Sequence, residues 1–321
     1  MRLTCGLNPV RLAKCRNRFP LARRLAGWAC LLATLTALDA TPGHAATIRD
    51  DQPDASYLAL ASSLEYASVG LFVNDWGYAG SGTLIAPDWV LTAAHVFSAA
   101  SSGTFTINGA AYTSSQLISH PGWHTGGEFN GYDFGLAHLS TPVVGVTPAA
   151  LYTGSAEVGQ VGTFVGFGLT GTGLTGYNRL DNQKRAFQNV MDGNFGNPAV
   201  LLGSDFDNPH SAADSGFGSS TPLTLEGCVA PGDSGGGVFV TIDASTYLAG
   251  VVSFVAALDG SANADYGDVS GFGRVSAFTP WITDTVPEPS TAALLAVGLV
   301  LLGWRCRGER RPGPTRPRSS W

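Results

Sequence analysis

Three short strings carry side chains that could work together on one bond. Trp89-Val-Leu-Thr-Ala-Ala-His95 ends on an imidazole. Tyr132-Asp133-Phe-Gly-Leu-Ala137 sets a carboxylate before an apolar run, and Pro231-Gly-Asp-Ser234-Gly-Gly-Gly237 sets a hydroxyl among glycines. A serine hydroxyl is a poor nucleophile at neutral pH, so a base must take its proton during attack. Histidine ionises near that range and can return the proton to a leaving amine. A carboxylate holds the imidazole in the useful tautomer and stabilises its charged form. Backbone N–H groups of Gly232 and Ser234 would point at a developing oxyanion, and a side chain at Gly232 would obstruct that turn. One such donor is worth about 3–4 kcal/mol of transition-state stabilisation. Taken singly, the strings read as a core histidine or a glycine turn. In the order His95, Asp133, Ser234 they read as covalent acyl transfer. Asp75 and Asp88 are rivals for the carboxylate. Asp88 lies in a Pro-Asp turn too near His95, whereas Asp133 leads into apolar residues, as a buried group at a strand start would.

Short strands must position these groups. Ser68–Val73, Gly82–Ile85, Val161–Phe167, Gly237–Ile242 and Leu248–Phe254 are brief, apolar and rich in Val, Phe, Thr and Leu, with Gly, Asn, Asp and Pro clusters between them. That pattern predicts many antiparallel strands. Helical periodicity emerges only near Phe278–Thr285. The fold class is all-β, and periodicity alone leaves a sandwich and barrels both open.

Charge divides the 321-residue chain into zones. Seven Lys/Arg fall in residues 1–24 and six in 305–318; residues 46–285 hold five basic side chains against 21 acidic ones, a net −16. Such an acidic body repels nucleic acid. Residues 1–46 read as a signal peptide: a basic stretch to Arg24, an apolar run Leu25 to Leu38 too short to span a membrane, then Gly43-His44-Ala45-Ala46 for a signal peptidase. Residues 47–285 form the working domain. In 286–311, Pro287-Glu288-Pro289 precedes a 13-residue apolar run, Ala292 to Trp304, and an Arg-rich end; 312–321 is a basic tail. The apolar run is a marginal span, suited to a temporary anchor with its basic flank on the cytoplasmic side. Of the five cysteines only Cys228 lies between the two ends, so the domain has no internal disulfide and rests on its apolar core.

The middle zone resembles the trypsin/chymotrypsin-type serine proteases over residues 66–283. Gly80-Ser-Gly-Thr-Leu-Ile-Ala-Pro-Asp-Trp89, Ile118-Ser-His-Pro-Gly-Trp123, Val165-Gly-Phe-Gly168, Gly250-Val-Val-Ser-Phe254 and Pro280-Trp-Ile282 match that family beside the three strings. The resemblance implies two six-stranded antiparallel Greek-key barrels, about 57–150 and 158–283, with a short C-terminal helix and the triad in the cleft between them. It implies a secreted endopeptidase that needs no cofactor and acts on polypeptides, with Ser253, Phe254 and Val255 along the substrate backbone. A non-catalytic binding module and an esterase are the alternatives on the same scaffold. The C-terminal zone resembles the PEP-CTERM sorting signal of Gram-negative bacteria, implying an exosortase as processing partner; a plain C-terminal anchor is the alternative.

The chain also departs from the family. Val96 follows His95 where a disulfide cysteine is usual. Six residues before Ser234 stands Cys228, not an acid, so Lys/Arg preference is unsupported. With Val255 at the pocket wall, small or medium aliphatic side chains are expected, though Asp259, Asp265 or Asp268 could reach in. The family buries a new Ile or Val amine against the residue that is Asp233 here. Ile48 is the expected start, 47 positions before His95, after trimming beyond the signal cut. His120, His124, His138 and His210 lack the spacing of a metal site. Asp205 and Asp207 could offer oxygens to calcium, although a solvated loop is the plainer reading.

Overall fold

Alternating side chains write the first half. In this computed structural model, which describes residues 46–287 except 98, 125, 126 and 198, six strands run in chain order: β2 (Val69–Asn74), β3 (Ala79–Ala86), β4 (Trp89–Thr92), β5 (Gly103–Ile107), β6 (Ala110–Ser119) and β7 (Gly135–Leu139), with β1 (Ala46–Ile48) before them. They close into a barrel in the order β2-β3-β4-β7-β6-β5. Phe72, Leu84, Val90, Leu91, Phe105 and Leu136 fill it with no exposed surface. Each is worth roughly 1.5–3 kcal/mol in transfer terms. Turn chemistry sets the register. Asn108 and Gly109 both take positive φ, 49° and 76°, between Ile107 and Ala110, the backbone that a two-residue hairpin requires.

The second half starts from β8 (Val161–Gly166), β9 (Thr170–Thr172), β10 (Gly176–Arg179), β11 (Arg185–Val190), β12 (Gly193–Asn194) and β13 (Leu201–Asp205). It continues through β14 (Gly227–Cys228), β15 (Gly237–Ile242), β16 (Ser245–Ala256) and β17 (Val269–Arg274). Seven of these form one antiparallel sheet, β11-β8-β15-β16-β17-β13-β12. The expected six-stranded ring is thus a curled sheet in this half. Beside its β11 edge, Glu226 makes a lone bridge to Gln188, while the two-residue β14 pairs instead with β1. A four-stranded sheet, β10-β9-β1-β14, results. The N-terminal strand therefore belongs to the second half, and Ala46, assigned by sequence to the signal peptide, is its first residue.

Two helices flank the sheets. α1 (Asp54–Ala61) starts after Pro53 with an acid in its first turn and buries Tyr57 and Ala61. Eight residues are too few for a visible 3.6-residue period, so the sequence hid it. α2 (Val275–Thr285) buries Val275, Phe278 and Ile282, spaced at three and four residues as an amphipathic helix demands. Among the described residues no helix is long and apolar enough to cross a membrane. The signal peptide, the apolar run after Pro289 and the basic tail lie outside the described residues.

Candidate active site

Strand pairing brings the first two groups together. Thr92 of β4 pairs with Gly135 of β7. His95 follows Thr92 by three residues, and Asp133 precedes Gly135 by two, so both leave the same end of one ladder. A single 3₁₀ turn, Ala94–Val96, displays His95. Its Nδ1 lies 2.7 Å from Asp133 Oδ2, and its backbone N–H donates to Asp133 Oδ1 at 2.9 Å. Both carboxylate oxygens thus grip one residue. That fixes Nδ1 as the protonated nitrogen and leaves Nε2 as the basic one.

The second half repeats the arrangement. Gly237 of β15 pairs with Val251 of β16. Ser234 lies three residues before Gly237, and Ser253 two after Val251, again at one ladder end. The β16–β17 register shifts between Val252 and Phe254, which drops Ser253 out of the ladder. Such a bulge re-aims a side chain. Here Ser253 Oγ donates to Asp133 Oδ2 at 2.5 Å, linking the halves at the carboxylate. Ser81 makes the other link. Its N–H donates to the Ser234 carbonyl at 2.7 Å, and its Oγ donates to the Gly232 carbonyl at 2.9 Å. Sequence reading gave Ser253 a substrate-backbone role and missed its contact with Asp133. A serine just past an apolar strand carries no signal of its partner.

Aromatic rings bracket the imidazole. Tyr78 and Trp123 each hold a ring centroid 6.4 Å from that of His95. Burial raises the Tyr78 phenol, the Asp133 charge adds to this, and a hydrogen bond with Ser234 opposes it. Tyr78 therefore neighbours both His95 and Ser234. A cleft of about 480 Å³ opens beside His95, floored by Phe97, Leu117 and Trp123.

The turn before the serine is shaped for donation. Gly232 takes φ +99°, and a Cβ there would stand 2.9 Å from Gly168 Cα. Only glycine adopts this without strain. Asp233 turns the other way, into the interior. Its carboxylate is fully buried and accepts N–H bonds from Gly168 at 2.8 Å and Ala230 at 2.9 Å. Burial pushes it up to about 7, against those two bonds and the Arg185 charge.

The remaining expected residues distribute unevenly. Phe254 packs its ring at a tilt against Phe129 at 4.5 Å and Phe195 at 6.0 Å, beside the serine it follows. Val255 is half-buried. Cys228 has no exposed surface. It lies under Phe206, Ala230 and Ala264, with Ser270 Oγ 3.3 Å from its sulfur, so it is sealed from any ligand in this conformation. Burial raises its thiol well above the ordinary value. Ile48 pairs with Thr172 and Gly227 inside the small sheet and packs against Phe164 and Phe187. Ala46, not Ile48, lies near Asp233, across a gap too small to hold a water molecule. Among the described residues no three His, Cys or acidic groups are placed to hold a metal. Asp205 is engaged by Ser215 Oγ and by the N–H groups of Gly216 and Phe217.

The Trypsin family model matches residues 62–282, and the PEP-CTERM protein-sorting motif matches 285–311. Chymotrypsin-like elastase family member 3B of Homo sapiens is 29 % identical over 255 residues. Chymotrypsin-like elastase family member 1 is 28 % identical over 252 residues in Felis catus and 26 % over 245 in Rattus norvegicus. Each match covers 70 % of this chain and 83 % of the relative.

Proposed function

This chain belongs to the trypsin family and is a serine peptidase, and on that premise we propose that it is an exported endopeptidase working through an acyl-enzyme on Ser234. His95 takes the Ser234 proton as the hydroxyl attacks a peptide carbonyl, then gives it to the leaving amine. A water, deprotonated by the same imidazole, hydrolyses the ester. Asp133 stabilises the imidazolium, and the amides of Gly232 and Ser234 receive the oxyanion. Ser253 to Val255 run beside the substrate backbone, and Ser253 Oγ steadies Asp133. The observation that carries this reading is the double grip of Asp133 on His95 with Ser253 as a third donor. A carboxylate holding three donors from two barrels orients a base and does little else.

Several features support a preference for small aliphatic residues at the cleaved position. Val255 narrows the wall, Cys228 offers no charge, and the similar proteins are named elastases. The chain carries a PEP-CTERM motif, which implies handling by an exosortase after export. Removal of the N-terminal signal by signal peptidase, brief membrane anchoring through the C-terminal run and final residence at a Gram-negative cell surface complete the reading.

Labelling of the exported protein by a fluorophosphonate probe, beside Ser234→Ala, tests it. Adduct on Ser234 with turnover of alanyl or valyl peptides is the expected result. Ester turnover without peptide turnover would replace the endopeptidase by an esterase, and absence of adduct would leave a binding module.

A further inference from the structure

The hairpin between β2 and β3 carries a tyrosine outside the three strings that hold His95, Asp133 and Ser234. Tyr78 is half exposed and sits one residue ahead of β3. Its ring meets the His95 imidazole edge-on, with centroids 6.4 Å apart and planes at 76°. Its phenol has the Ser234 side chain as a hydrogen-bond partner. One side chain of the first barrel thus reaches both His95 and Ser234.

Bonds on several sides hold Tyr78 there. Buried Asn74 closes the turn. Its Oδ1 accepts the N–H groups of Trp76 and Tyr78, each at 3.0 Å, and its own N–H donates to the Tyr78 carbonyl at 3.0 Å. Its Nδ2 donates to the Val96 carbonyl at 2.9 Å, at the end of the 3₁₀ turn that displays His95. Asp75 ties the hairpin to the loop before β5. Its Oδ2 accepts the N–H groups of Ser101 and Ser102 at 3.1 and 3.2 Å, while its own N–H donates to the Ser102 carbonyl at 3.0 Å. Gly80 then lets β3 close on Ser234. A Cβ at Gly80 would stand 2.8 Å from Val96 Cγ2 and 3.0 Å from the Ser234 carbonyl oxygen, and the Ser81 N–H donates to that carbonyl at 2.7 Å. Phenol, imidazole and hydroxyl are therefore fixed by one connected set of bonds. A turn held on so many sides presents its side chain in one place.

We propose that Tyr78 is a fourth catalytic residue, its phenol O–H donating to Ser234 Oγ so that the serine's own proton points at His95 Nε2. This rests on the reading of Ser234 as nucleophile and deepens it. A hydroxyl oxygen offers one O–H and two lone pairs. With Tyr78 on one lone pair, the Ser234 proton is free to lie along the line to the imidazole. During attack that proton passes to Nε2 as the bond from Oγ to the carbonyl carbon forms. Charge builds on Oγ on the way, and a fixed donor strengthens with that charge. In deacylation the carbon–Oγ bond breaks, Oγ takes a proton from the His95 imidazolium, and Tyr78 donates to the departing oxygen. Tyr78 keeps its own proton in both steps. A phenol ordinarily ionises at about pH 10. Burial and the Asp133 charge raise this one, so it stays a donor through the neutral range.

The test compares exported wild type with Tyr78→Phe, Tyr78→Leu and Ser234→Ala, using a fluorophosphonate probe and alanyl or valyl peptides. Tyr78→Phe keeps the ring beside His95 and removes only the hydroxyl. It should slow labelling of Ser234 and lower kcat, each about tenfold, while KM stays within a factor of two and the melting temperature within a few degrees. Tyr78→Leu should lose at least as much. Equal labelling and kcat in wild type and Tyr78→Phe would overturn the proposal. So would a loss confined to KM, which would make Tyr78 a substrate contact. A loss in Tyr78→Leu that Tyr78→Phe does not share would reduce the residue to packing against the imidazole and overturn it too. A wild type that labels no better than Ser234→Ala sinks the nucleophile reading, and the role of Tyr78 with it.

Discussion

The first barrel buries one carboxylate, Asp133, whereas the described part of the chain beyond it buries six: Glu157, Asp205, Asp207, Glu226, Asp233 and Asp268. The first interior is aromatic and aliphatic, and its single acid holds His95. The second is threaded with acids that hold loops. Glu226 accepts the backbone N–H groups of Asp207 and Leu223. Asp192 accepts those of Asp205 and Ser219, and Asp268 that of Ala264. Loops without regular pairing need other acceptors for their N–H groups. Carboxylates supply them at the expense of desolvation, which pushes Glu226 up to about 8, Asp192 to about 7 and Asp207 to about 6. His95 is thus mounted on a half fixed by apolar packing, and Ser234 on a half fixed by polar struts.

Substitutions can break or sharpen that contrast. If the two halves supply two parts of one machine, Ser234→Ala in the second and His95→Ala in the first should each cost roughly a millionfold in kcat, with the double variant no worse. Additive losses would separate the halves. Asp133→Asn should cost about ten-thousandfold with the fold intact, because the imidazole would present the wrong tautomer; steady-state kinetics with a melt as control checks both. Phe105→Ala, at a fully buried site of the first barrel, should lose about 3–5 kcal/mol in denaturant unfolding, with kcat preserved in the folded fraction. Ser253→Ala should lower kcat about tenfold, the worth of one hydrogen bond to a charged group, and leave KM within a factor of two. An effect on KM alone would return Ser253 to a pure substrate-binding role.

The smallest expected effect concerns pH. Glu226, Asp192 and Asp207 bind protons more tightly folded than unfolded. Their contribution to stability is complete below the ordinary carboxylate range and is lost as pH rises through about 6 to 8. The melting temperature should therefore fall across that window, by about 2–4 °C per kcal/mol lost. Glu226→Gln should flatten the slope. A melting temperature that climbs from pH 6 to 8 in wild type would remove the polar-strut account of the second half.

Sequence by itself determined the residue types of the site, their order and the β class, because these are local properties. A Gly-Asp-Ser-Gly turn, an Ala-Ala-His end and alternating Val, Phe and Leu declare themselves within a few positions. The helical period near Phe278–Thr285 declares itself in the same way. Tertiary structure alone decided what depends on partners far along the chain. Ser253 meets Asp133 across 120 positions, and Ser81 meets Gly232 across 151. The second barrel is a curled sheet because β14 is paired by β1, some 180 residues away. Local pattern fixes which side chains exist and which face they take, but a three-residue strand such as β1 carries too little pattern to announce its neighbours. Only the closing of the sheet supplies them.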